Sequence, residues 1–133
     1  MINIIEPRFF EEEEEAILSI LKSRKITRGE WTRAFEEAFA RYLGVKHAST
    51  VCSGTVALFI ALKALGVEGQ KVVVPAMSFM ATIDAVYLAG GVPVVVDVDE
   101  YYTMDPNQLE DAVKKYNPKV VIPVHLYGQP ADM

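Results

Sequence analysis

The sequence holds a single cysteine, Cys52, which excludes an internal disulfide and any cysteine-rich metal site. Its two histidines, His47 and His125, stand far apart with no Cys or His partner at ligand spacing, so no metal site is expected. No apolar run is long enough to span a bilayer, and the N-terminus lacks the basic-then-apolar order of a signal peptide. A cytoplasmic protein that engages no membrane is the expectation. Positive charge is also scarce: 13 Lys and Arg against 18 Asp and Glu leave a net charge of -5. A nucleic-acid surface needs a basic stripe, and this chain has none. Neither a G-x-G-x-x-G fingerprint nor a G-K-[ST] phosphate loop is present. What the chain does have is apolar content: 51% of its 133 residues are hydrophobic, enough for one domain with a modest core.

Periodicity organises that content. Glu11 to Leu21 predicts a helix with apolar residues at Ile17, Leu18 and Leu21. The Glu11–Glu15 run sits in its first turns, where negative charge suits the helix macrodipole. Thr27-Arg28-Gly29 breaks the pattern. A second amphipathic helix is predicted from Trp31 to Leu43, ended by Gly44. Its stripe of Trp31, Phe35, Phe39 and Tyr42 is of the kind that more often packs in a core than lines a ligand box.

From there the chain alternates. "HASTV" is a predicted strand and Thr55 to Leu65 a helix closed by Gly66. "KVVVP" is the next strand, Phe79 to Ala89 a helix, and "VPVVVDV" a third strand. Asp105 as N-cap with Pro106 behind it opens a helix to Tyr116, and "KVVIPV" is the last strand. Such units predict an α/β fold: a parallel sheet of about four strands with helices on both faces. One domain over residues 1–133 is expected, a helical segment at 1–45 leading into βαβ units at 46–133.

Ligands of such sheets bind beyond the carboxyl ends of the strands, which singles out four corners. Ser53-Gly54-Thr55 opens a helix whose first-turn N–H groups suit a phosphate; simple capping by Ser53 or Thr55 explains the same residues. Phe79 follows a strand and could pack inward or lie across a planar ring. Asp97 and Asp99 could bind a metal or do acid-base work, or an Asp there could cap a loop. His125, Tyr127 and Gln129 surround Gly128, where a satisfied loop histidine is the plainer account.

Taken together, "VCSGTVALFIALKALGV", "VVVPAMSFMATIDAVYLAGGVPVVVDVD" and "VVIPVHLYGQPADM" resemble, in order and spacing, the N-terminal part of the DegT/DnrJ/EryC1/StrS aminotransferases. The upstream "ITRGEWTRAFEEAFARYLGVKHA" is similar to the same family. The resemblance covers essentially the whole chain. It implies the first part of the large domain of fold type I pyridoxal-phosphate transferases, and enzymes that aminate nucleotide-linked keto-sugars. It also implies residue roles. Gly54, Thr55 and the backbone of Val56 would hold the phosphate of pyridoxal 5'-phosphate, and Phe79 would stack on its ring. Val56 stands where alanine is common, which leaves the backbone donor intact. His125, Tyr127 and Gln129 would lie near the site without a chemical step.

The same resemblance puts the lysine that holds the cofactor, and the Asp that pairs with its pyridine nitrogen, later than Met133. Lys71 and Lys119 begin strands, at the edge opposite the pocket. The expectation is therefore a chain that keeps the phosphate-and-stacking half of a site, lacks the reacting half, has no catalytic residue of its own and shows no turnover alone. In this enzyme class "HASTV" lies beside strands that come later, so either the strand order here differs or another chain covers its open edge, and self-association into a homo-oligomer is the expectation. The competing account is a non-catalytic module that binds phosphate or a nucleotide, or assembles with a partner. A small α/β domain without a ligand is the third.

Overall fold

A computed structural model describes residues 6–133. The chain falls into two compact units, one ending at Thr50 and one running Val51–Met133.

The first unit carries two helices, α1 (Glu11–Ser23) and α2 (Glu30–Leu43). The Glu13 carboxylate reaches back to accept the Phe10 N–H at 2.7 Å, so the acidic run satisfies an open helix start. α1 ends at Arg24, whose φ of 57° is left-handed, and α2 ends at Gly44. Among its described residues α1 buries none, and α2 buries only Ala40. The aromatic stripe is therefore not core: Trp31, Phe35, Phe39 and Tyr42 are all exposed. Phe35 and Phe39 stack on one another with centroids 5.6 Å apart. Two short helices simply offer too little apolar surface to enclose four aromatic rings.

"HASTV" also departs from expectation. Its residues join no strand, so the sheet has three strands rather than about four. A strand exists only through ladder partners, and no strand lies beside this segment among the described residues. Thr50 is held by a side chain instead. Its N–H and hydroxyl donate to Glu36 Oε1 at 2.8 and 2.9 Å, while Arg28 Nη2 approaches both carboxylate oxygens at 3.1 Å.

The second unit is a three-layer α/β arrangement. α3 (Gly54–Ala64) precedes β1 (Lys71–Pro75), α4 (Ala81–Leu88) leads to β2 (Val92–Val96), and α5 (Pro106–Tyr116) to β3 (Val120–Val121). All pairings are parallel in the order β2-β1-β3, with Val73 opposite Val94 and Val121. Period-two alternation in β1 splits its valines between two cores. Val72 and Val74 pack with Leu62, Val67, Ala85 and Val86 under α3 and α4. Val73 packs with Val96, Met104 and Ala112 under α5. Each of these buried valines is worth about 1.5–3 kcal/mol of transfer free energy. Helices on both faces of a parallel sheet are as the sequence predicts, and Asp105 caps α5 by accepting the Asn107 N–H at 2.8 Å.

Candidate functional site

The amino edge of the sheet fixes where the helices begin. Gly69 N–H donates to the Gly90 carbonyl at 2.8 Å, Lys63 Nζ to the Ala89 carbonyl at 3.4 Å, and Lys119 Nζ to the Gly66 carbonyl at 3.0 Å. These bonds gather the last turns of α3 and α4 at the start of the strands. Both helices therefore begin at the strands' carboxyl ends, where ligands of parallel sheets bind.

Ser53 is the N-cap of α3, with extended φ and ψ of -162° and 161°, and its Oγ accepts the Val56 N–H at 3.3 Å. That bond is longer than the 2.9–3.0 Å usual for N–H···O. The capping account is thus correct as far as it goes, and it leaves donors over. The N–H groups of Gly54 and Thr55 meet no acceptor among the described residues, and neither does the Thr55 hydroxyl. A Cβ built on Gly54 would meet nothing within 4 Å, and its φ is not left-handed. Neither turn geometry nor packing demands glycine there. The space beside its Cα is open, and the two free donors stand at the positive end of a helix dipole.

Phe79 precedes α4 and is 78% exposed. Packing into the core, the plainer alternative, is not what this side chain does. Gly54, Thr55 and Val56 thus form the first turn of α3, and Phe79 lies just before α4, the helix packed against α3.

At the other corners, Asp97, Asp99 and His125 bond within their own loops. Asp99 accepts from Tyr101 N–H, Thr103 N–H and the Thr103 hydroxyl at 2.9, 3.0 and 3.0 Å. Burial pushes its carboxyl up, and the hydrogen bonds from Thr103 and Tyr101 outweigh that and hold it below the usual value. Asp97 accepts the N–H of its neighbour Val98 at 2.8 Å. Both carboxylates thus accept hydrogen bonds from their own loop. His125 Nδ1 accepts the Ala131 N–H at 2.9 Å, which satisfies that nitrogen within its own loop. Tyr127 is 88% exposed on a left-handed backbone with φ of 53°, an uncommon conformation for an aromatic residue. Gln129 lines a cavity of about 570 Å³ shared with Asp99, Asp105 and Asp132, which includes neither Gly54 nor Phe79. No group of three or more His, Cys, Asp or Glu suited to a metal occurs among the described residues.

Sequence reasoning passed over Ser78 and Thr82, whose hydroxyl oxygens lie 2.6 Å apart beside Phe79. The available signal was a threonine heading an otherwise apolar helix stripe of Ala85, Val86 and Ala89.

The sequence model of the DegT/DnrJ/EryC1/StrS aminotransferase family matches residues 7–133, and the chain belongs to that family. It is 40% identical over 119 residues to 3-oxo-glucose-6-phosphate:glutamate aminotransferase of Bacillus subtilis (strain 168), covering 88% of this chain and 27% of that protein. It is 37% identical over 135 residues to GDP-perosamine synthase of Escherichia coli O157:H7, covering 99% of this chain and 37% of that one. Among solved structures it resembles NtdA from Bacillus subtilis with bound cofactor PMP, at a TM-score of 0.80 and 37% identity, over 92% of this chain and 29% of NtdA. The chain thus spans about a third of the length of the relatives it matches.

Proposed function

We propose that these residues form the phosphate cup and ring platform of a pyridoxal 5'-phosphate site. The whole protein would be an aminotransferase acting on a phosphorylated or nucleotide-linked keto-sugar. The observation that carries this reading is the first turn of α3: two unpaired N–H groups, an unpaired Thr55 hydroxyl and open space over Gly54. Family membership supports it, and the sugars in the names of the two enzyme relatives, 3-oxo-glucose-6-phosphate and GDP-perosamine, supply the sugar class.

The residues fit the cofactor. Gly54 and Thr55 donate their N–H groups to phosphate oxygens, and Thr55 adds its hydroxyl. The Val56 N–H, weakly engaged with Ser53, is shared with the anion. Phe79 offers a bare aromatic face on which a flat heterocycle lies. When bound, the cofactor supplies an electron sink for carbanion chemistry at the amino-bearing carbon. The chain's own contribution is to bind and orient it. Lys71 opens β1 and Lys119 ties to Gly66 at the opposite edge, so neither reaches the cup. The 133 residues alone should therefore bind without turning over. Self-association and a cytoplasmic setting belong to the same proposal; the one cysteine, Cys52, is an exposed free thiol of the kind a reducing compartment keeps.

Titration with inorganic phosphate and with pyridoxal phosphate tests the cup. Thr55→Ala should weaken both by at least about tenfold, since hydrogen bonds to a charged group are worth about 1.5–3 kcal/mol. Equal affinities for wild type and variant would reduce the corner to a helix cap.

A further inference from the structure

Thr82 poses a question that packing does not answer. It heads the inner stripe of α4, followed at helical spacing by Ala85, Val86 and Ala89, and it is 7% exposed. Valine has nearly the same shape and would fill that place without burying a hydroxyl. What the hydroxyl adds is one contact, Ser78 Oγ at 2.6 Å. Ser78 Oγ also lies 3.3 Å from the Phe79 carbonyl, which accepts the Thr82 N–H at 3.0 Å. Backbone and side chain together close a small ring of bonds around the residue that carries the exposed phenyl group. Phe79 itself, at 78% exposure, has little packing to hold it. Its direction is set by the backbone that displays it.

We propose that Thr82, acting through Ser78, is a positioning residue that fixes the Ser78–Met80 turn and so aims the Phe79 ring along the edge where Gly54 and Thr55 head α3. This rests on the cofactor reading above and refines it. The cup and the platform are separate devices: the first recognises phosphate, the second recognises a flat ring. Loosening the turn should disturb only the second.

The test compares two probes on three variants. Thr82→Val keeps the shape and removes the hydroxyl, Thr82→Ser keeps the hydroxyl, and Ser78→Ala breaks the contact from a half-buried position outside the core. Thr82→Val and Ser78→Ala should each weaken pyridoxal phosphate several-fold while leaving inorganic phosphate affinity as in wild type, and Thr82→Ser should restore the former. If Thr82→Val fails to fold, Ser78→Ala decides alone. Unchanged pyridoxal phosphate affinity in both variants, or an equal loss for both probes, would overturn the proposal while leaving the cup intact. Wild-type protein that binds neither probe would overturn the cofactor reading and this inference with it.

Discussion

Threonine recurs where this chain fastens one segment to another. Thr50 donates to Glu36, Thr103 to Asp99, and Thr82 pairs with Ser78. Thr55, at the head of α3, has no partner among the described residues. Two of these contacts have a pH consequence. The Thr50 N–H and hydroxyl, with Arg28, hold Glu36 below its ordinary value despite the cost of burial, and Asp99 is likewise lowered. A carboxylate with a lowered folded pKa adds stability that is complete above its unfolded pKa, and that stability disappears as pH falls through the folded value. Melting temperature should therefore hold near neutrality and fall once the pH drops below the ordinary carboxylate range. Glu36→Gln should lower melting at neutral pH and shrink that acid dependence. A variant whose melting follows the wild-type pH curve would show that the Glu36 contacts contribute nothing. At the ring platform, Phe79→Ala should lose pyridoxal phosphate and keep inorganic phosphate, as read by titration with each.

At the level of elements, the sequence announces the helices and the central strands well. Asp105-Pro106 opens α5 where predicted, and "KVVVP" is β1 residue for residue. Local signals suffice there, because caps and β-branched runs act over a few residues. "HASTV" shows the limit. Its β-branched residues are as strand-like as any, yet a strand needs neighbours, and pairing is not written in five residues. The aromatic stripe of α2 fails for the same reason, since burial depends on what else the unit can bring to it. The proposed cup was legible as residue types, and the resemblance suggested what they would hold. The Ser78–Thr82 contact was not legible, because i and i+4 hydroxyls meet only once α4 is built. One element junction is unusually tight. A Cβ on Gly91 would meet Val86 Cγ1 at 3.0 Å and the Val86 carbonyl at 3.3 Å. Gly91→Ala should destabilise the second unit by about 1–3 kcal/mol, seen as a lower denaturant midpoint. An unchanged midpoint would mean the α4–β2 junction yields freely.

On the scale of the whole molecule, the second unit presents a great deal of apolar surface. Phe79, Met80, Tyr87, Leu88 and Val95 are each more than half exposed. The outer side of β3 lies open, since the sheet order β2-β1-β3 leaves it without a neighbour. Both features favour association, and light scattering at working concentration should report a species larger than 14.8 kDa. A monomer across the concentration range would contradict that expectation. The central claim is that the first turn of α3 holds a phosphate, and amide resonances followed during a pyridoxal phosphate titration test it most directly. The Gly54, Thr55 and Val56 amide signals should move furthest and saturate together, with the Phe79 ring protons shifting in step. Signals that stay still at Gly54 and Thr55 while others move would contradict the account.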